Sequence, residues 1–336
     1  MKTSDAPPVE RSGPIAAVSE TLDRLEDLHR ESESTLHWAS PFILPGWIQA
    51  WRQAVMPEST PWIVSVRKND RLIGVAPLLR DGTTARFIGS IDVCDHLDVV
   101  TSPEHGAEFC DTLLETVRRE AINRLDLGLL RPDSAVMSCL ASRARLRQCR
   151  VAVSQEDLLF ELDLPASWES YLELLEGKQR HEIRRKLRRL DQHTAFAFRL
   201  VSGPAAVAAA MDQFVELFRR NRPEKAAFMS PAMEGFFRSL AGGLPQTRIG
   251  FLDVDAVPAA AVMCFDHRHT RYLYNSGFNP AFSHLSVGIL CKVLSIRDAI
   301  ARGMKTYDFL KGNEDYKRRL RGRPVALYRC RIDLTG

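Results

Sequence analysis

Apolar and polar residues alternate along this chain in a plan that runs twice. Trp62-Ile63-Val64-Ser65-Val66 reads as a strand, Lys68-Asn69-Asp70 as a turn, and Arg71 to Leu79 as the returning strand. Phe87-Ile88-Gly89 begins another strand. Pro103-Glu104-His105-Gly106 opens a helix with an apolar stripe at Phe109, Leu113, Val117 and Ala121, and Arg124 to Gly128 is a short strand after it. In the second half, Arg248 to Val254, the turn Asp255-Ala256, and Val257 to Phe265 form the same hairpin pattern. Arg271 to Ser276 follows as an aromatic-rich strand. Ser286-Val287-Gly288 opens a helix striped by Ile289, Val293, Ile296 and Ile300, ended by Gly303, and Thr306 to Leu310 is the next strand.

The spacings repeat as well. Gly106 precedes Asp126 by 20 residues and Gly288 precedes Asp308 by 20, while Gly74 and Pro258 lie 32 and 30 residues before those glycines. Three agreements in one order favour a duplication over two unrelated α+β halves. Hairpin, strand, helix, strand predicts α/β (α+β) architecture, with mixed sheets flanked by helices. Two helices stand between the halves. Trp168 to Leu190 is one, with Ser167 as N-cap, and Ala205 to Asn221 is the other, stopped at Pro223. Residues 1–18 read as a flexible tail, 19–160 as the first domain and 161–336 as the second.

At 336 residues the chain suits two domains, and its 45% hydrophobic and 26% charged content is that of a soluble globular protein. No apolar run reaches the length of a membrane span, and the N-terminus lacks the apolar core of a signal peptide. The seven cysteines are scattered without a CxxC pair. That pattern predicts no zinc site and a reducing, cytoplasmic setting. The net charge of +4 is mild but unevenly placed. Lys178, Arg180, His181, Arg184, Arg185, Lys186, Arg188 and Arg189 crowd one helix whose buried stripe is Ile183, Leu187 and Leu190. So cationic a surface predicts an anionic partner: carrier phosphates, acyl carrier protein, tRNA or the headgroups of an anionic membrane. No aromatic residues interleave these charges, so sequence-specific nucleic-acid binding is not expected.

From Tyr272 to Leu320 a set of motifs appears in order: Gly277-Phe278-Asn279-Pro280, Ser286-Val287-Gly288, Tyr307-Asp308-Phe309, Gly312, and Tyr316-Lys317. With Lys178 to Leu190, Glu216 to Phe228, and the N-terminal Pro41 to Trp51, this set resembles the CelD-like acetyltransferases of the GNAT superfamily, relatives of the FemAB-type aminoacyltransferases. The resemblance spans roughly residues 40 to 325. It implies two tandem GNAT-like domains, the second carrying the donor site. The implied activity is N-acyl transfer from acyl-CoA or an acyl carrier protein thioester to an amine-bearing acceptor by direct attack, with no metal. The alternatives are an aminoacyl-tRNA-dependent transferase and a non-catalytic module in polysaccharide or lipid assembly. The full glycine-rich signature of coenzyme A-binding members is lacking here.

Such a transfer needs a phosphate cradle, donors facing the oxyanion and a group to take the amine proton. Ser286, Val287 and Gly288 at a helix N-terminus are the cradle candidates. Asn275, Gly277, Lys317, Arg180 and Arg184 complete the expected donor site. Asp308, a carboxylate in an apolar strand, must be paired or functional: it is either the general base or a structural residue that fixes the Gly312 turn or pairs with Lys317. Glu314, Tyr316 and His284 are further catalytic candidates.

Overall fold

The computed structural model describes residues 14–334 apart from 57, 59 and 194. The chain begins with β1 (Ile15–Glu20), α1 (Leu25–Ser32) and α2 (Pro45–Ala54). The hairpin β2 (Pro61–Lys68) and β3 (Arg71–Asp81) follows, then β4 (Thr84–Phe87), the short β5 (Val100–Thr101), α3 (Gly106–Arg119) and β6 (Arg124–Leu130). After α4 (Ala141–Leu146) and the long β7 (Arg150–Asp163) the plan restarts. It passes through α5 (Trp168–Leu174), α6 (Gly177–His193), β8 (Phe196–Ser202), α7 (Pro204–Asn221), α8 (Pro223–Phe228) and α9 (Pro231–Gly243). Then come the hairpin β9 (Thr247–Val254) and β10 (Val257–His267), β11 (Thr270–Phe278), α10 (Val287–Ala301), β12 (Thr306–Lys311), α11 (Asp315–Arg319) and β13 (Arg323–Asp333).

The two halves match in detail. Asn69 and Asp70 turn the first hairpin with φ of 49° and 64°, and Asp255 and Ala256 turn the second with the same two values. Both central residues are left-handed, as a turn compatible with strand twist requires. Each half also has one parallel pair. Thr84–Ala85 lies beside Arg124–Leu125, and Thr270–Tyr272 beside Thr306–Asp308, with α3 or α10 as the crossover.

Where two mixed sheets were expected, one continuous sheet forms, in the order β1-β2-β3-β4-β6-β13-β7-β12-β11-β10-β9-β8, with β5 against β3. The cause is an exchange of last strands. β13 of the second half pairs with β6 of the first, β7 of the first pairs with β12 of the second, and β7 and β13 pair along eleven residues. Other departures are local. β4 ends at Phe87 instead of starting there, because Gly89 turns the chain at φ 127°. The helix expected over 168–190 breaks at Leu175, which is extended and buried in the core. Of the segment read as a tail, residues 1–13 lie outside the described residues. Residues 15–18 join β1 antiparallel to β2, with Ile15 and Ala17 packed on the core.

Helices cover both faces. One apolar cluster joins the first half to α7 and α9, and the other lies between β10–β12 and α5, α6 and α10. Buried Arg271 on β11 ties α10 to the sheet: it donates to both oxygens of Asp266 at 2.7 and 2.8 Å and to Asp298 at 2.7 Å. The Tyr307 hydroxyl on β12 donates to Ser295 Oγ at 3.1 Å. Both anchors fix where the N-terminus of α10 points. Among the described residues no helix is long and apolar enough to cross a membrane.

Because β13 is a central strand shared by both halves, Ile332→Ala, at a fully buried position of that strand, should cost about 2–4 kcal/mol. Unfolding in denaturant should stay a single transition, coincident by tryptophan fluorescence and circular dichroism. Two separated transitions would show that the halves unfold independently.

Candidate functional site

β11 and β12 part after three residue pairs. On β12 the register slips between Asp308 and Leu310, where Leu310 adopts a left-handed φ of 60° and Asp308 Oδ1 accepts its N–H at 2.7 Å. Two cavities lie near this divergence, and their electrostatics are opposite.

The smaller cavity, about 430 Å³, opens between the parted ends of the strands and the start of α10. Ser286, Val287 and Gly288 line it, together with Ser276 of β11, Glu314 and Tyr316. Ser286 holds φ 59° and its hydroxyl caps no backbone N–H, so the outward-pointing donors of the first turn have no side-chain cap from it. Four cations ring the cavity: Lys186, Arg222, Lys225 and Lys292. Lys225 donates to the Ser276 carbonyl and lies 4.8 Å from the Phe218 ring centroid, and burial pushes its ammonium down to about 8. Lys292 donates to the Gly288 carbonyl at 3.2 Å, 5.1 Å from the Tyr316 ring centroid, and burial lowers it too. Neither lysine forms an ion pair among the described residues, though Glu314 on the same cavity wall attracts both. Gly288 is needed where it stands, since a Cβ there would come within 2.8 Å of the Phe278 ring.

The other expected donor-site residues take different positions. Lys317 is buried and points away, its ammonium donating to the carbonyls of Leu310, Lys311 and Gly312. It clamps the end of β12 and pairs with Glu314 at 3.1 Å. Gly277 lets α7 approach β11, because a Cβ there would lie 2.5 Å from the backbone of Leu217. Asn275 is half-buried on the same strand and lines neither cavity. Arg180 and Arg184 lie on α6 outside the cavity, which only Lys186 of that helix reaches. His284 is exposed in the turn before α10 and lines neither cavity.

The larger cavity, about 700 Å³, lies at the N-terminus of α3, in the first half's counterpart of that position. The second half contributes Thr270, Tyr272, Thr306, Asp308 and Arg323 to it. Asp308 is therefore on the opposite face of β12 from Tyr307 and Phe309, which pack against α10. Burial, then the nearby Glu161, pushes its carboxyl up to about 8. His96 Nε2 stands 3.8 Å from Asp308 Oδ2, is buried and has no hydrogen-bond partner, and burial keeps its imidazole neutral. Phe42 and Tyr272 hold the ring at centroid distances of 5.4 and 5.8 Å. Arg131 and Glu161 form an ion pair beside them. Asp98 accepts the N–H groups of Val99, Ala135 and Val136, and burial raises it to about 7.

His96, Arg131, Glu161, Arg222, Lys225 and Lys292 were absent from the sequence-derived set. Two carried a readable signal: Asp95-His96-Leu97-Asp98 is a titratable cluster in an apolar stretch, and Lys292 interrupts the apolar first two turns of its helix. Among the described residues no group of His, Cys, Asp or Glu is placed to hold a metal.

Residues 177–318 match the family model described as acetyltransferase (GNAT) domain. Among solved structures, FemX superposes with a TM-score of 0.63 at 10% identity, covering 94% of this chain and 96% of that one. The C-terminal domain of a putative lysylphosphatidylglycerol synthetase from Agrobacterium fabrum gives 0.55 at 11% identity, over 85% and 91% of the two chains. L-PGS from Bacillus licheniformis gives 0.54 at 8% identity, over 85% and 90%. At such identities the likeness is one of fold. No curated protein matches the chain in sequence.

Asp308 generates a pH prediction. Its proton is held more tightly folded than unfolded, where an aspartate titrates near 3.8. Its contribution is therefore complete below about pH 4 and is lost as pH rises towards 8. Asp308→Asn keeps an acceptor for Leu310 and removes this cost. The variant should be more stable than the parent at pH 8 by on the order of a few kcal/mol, with the gap closing near pH 4. Thermal unfolding at stepped pH measures it; a constant gap would mean that Asp308 titrates normally.

Proposed function

We propose that this GNAT-type acyltransferase, a member of the GNAT/FemAB-like group, moves an acyl group from a phosphopantetheine thioester to an amine acceptor. The observation that carries the reading is the smaller cavity, where an uncapped helix N-terminus meets two half-buried lysines that form no ion pair among the described residues. Partly desolvated cations without an ion pair favour an anion, and a phosphate supplies one while accepting from the N–H groups of the helix start. The edge of β11 beyond Tyr272 has no β12 beside it, so an extended pantetheine has backbone groups to pair with, once Lys225 releases the Ser276 carbonyl.

The acceptor enters by the larger cavity. A primary amine is charged at neutral pH and must lose a proton before it attacks. Asp308, with its raised proton affinity, takes that proton better than an ordinary carboxylate, and the free His96 Nε2 lies beside it to share it. The amine nitrogen then attacks the thioester carbonyl, the C–N bond forms, the C–S bond breaks and the thiol departs. The departing thiolate takes up a proton from solvent as it leaves. No covalent enzyme intermediate is involved. The free cysteines, six of them buried, fit a reducing compartment such as the cytoplasm.

Titration of coenzyme A into the protein tests the donor half. Lys292→Met with Lys225→Met should weaken binding by at least about tenfold, the loss of roughly one charge-assisted contact. Thiol release from acetyl-coenzyme A with a panel of primary amines tests the acceptor half. Its kcat/KM should rise with pH to a plateau above about 8, and Asp308→Asn should lower it by about 10²–10⁴. Unchanged coenzyme A affinity in the double variant would refute the cradle, and undiminished turnover in Asp308→Asn would refute the base.

A further inference from the structure

The donor cavity has a charged neighbour larger than itself. α6 packs on α10 and on the turn before it, and Lys186 reaches from α6 into the cavity. Lys178, Glu182, Arg185, Lys186 and Arg189 recur every three or four residues, so they share the stripe that leads to the cavity. Glu182 pairs with Arg185 at 2.9 Å and with Lys186 at 3.2 Å. Lys178, Arg184, Arg188 and Arg189 are exposed and form no ion pair among the described residues. Over the whole helix seven lysines and arginines face two carboxylates, Glu182 and Asp191.

A free coenzyme A cannot use this surface. Its phosphates are served by the cavity, and the unpaired cations extend along a helix that rises about 1.5 Å per residue, some 16 Å from Lys178 to Arg189. Maintaining like charges at that density on one helix is unfavourable in isolation. A protein with a matching acidic face would relieve the repulsion and speed encounter. The helix has no aromatic side chain in this segment to stack on an unpaired base. The cavity volume of about 430 Å³ suits a linear arm that threads in from such a partner.

Resting on the phosphopantetheine reading above, we infer that the donor is delivered by an acidic acyl carrier protein that docks on the cationic face of α6 and inserts its acylated arm into the cavity at the start of α10. Docking places the carrier's charge over Lys178, Arg188 and Arg189 and its phosphate at the cavity mouth. Acyl transfer is as described: the amine nitrogen bonds to the acyl carbon and the carrier's thiol leaves.

The test compares one acyl group on two donors, holo acyl carrier protein and coenzyme A, with the triple variant Lys178→Glu/Arg188→Glu/Arg189→Glu. For the parent, kcat/KM with the acyl carrier protein should exceed that with coenzyme A and fall as salt rises from 0.01 to 0.15 M, where the screening length drops from about 30 to about 8 Å. In the variant it should fall at least about tenfold and lose most of its salt dependence, while turnover with acyl-coenzyme A changes less than about twofold. Far-UV circular dichroism confirms that the helix is intact. Equal losses with both donors, or no loss with acyl carrier protein, would overturn the docking surface while leaving the cavity assignment standing. Failure of both donors to bind the parent protein would instead remove the phosphopantetheine reading itself. Loss in the variant of binding to tRNA or to vesicles containing phosphatidylglycerol, with acyl carrier protein turnover untouched, would assign α6 to a different partner and overturn the inference.

Discussion

Much of this molecule's chemistry follows from a leucine held in a conformation that leucine dislikes. Leu310 on β12 and Leu129 on β6 have φ of 60° and 57°, in the left-handed region that costs a side chain with a Cβ roughly 1–3 kcal/mol. In each case a carboxylate accepts the strained residue's N–H: Asp308 at 2.7 Å for Leu310, Glu156 at 2.9 Å for Leu129. In each case the strand's register slips against its antiparallel neighbour. On β12 the slip falls where the parallel pairing with β11 stops, after three residues. Without the bulge on β12, β11 and β12 would zip further, and the open edge of β11 would be closed.

The bulge also explains why Asp308 resists a single label. Its Oδ1 is structural, fixing Leu310, while its Oδ2 faces His96 in the larger cavity. A residue held by the backbone on one side and desolvated on the other is well placed for proton transfer, because its position is fixed before substrate arrives. Lys317 shows the complementary case. A buried ammonium with three carbonyl partners cannot also grip a phosphate, and it secures instead the turn by which the chain leaves the bulged strand.

Duplication followed by strand exchange accounts for the division of labour. The two helix N-termini, at α3 and α10, occupy corresponding places, but cations outnumber carboxylates around the α10 cavity, while around the α3 cavity five carboxylates outnumber Arg131 and Arg323. Exchange of β7 and β13 brings Glu161 of the first half beside β12 of the second, so the carboxylate pair at the larger cavity draws on both halves.

Local patterns in the sequence were enough for the hairpins, the two crossover helices, the repeat between halves and the helix start at Ser286 to Gly288. Each of these is set by residues near one another in the chain: alternation, stripes of apolar residues, and a helix start. The exchange of β7 and β13 was not legible, since strand partners more than a hundred residues apart leave no periodicity. The same reason hid Lys225, Lys292, Arg222 and the His96–Asp308 approach. A lysine reads as surface until the fold buries it, and a histidine reads as incidental until a strand 212 residues later stands opposite it. Residue type and local spacing determined the elements; which charges ended without partners, and therefore where chemistry is possible, was decided only when packing removed water from them.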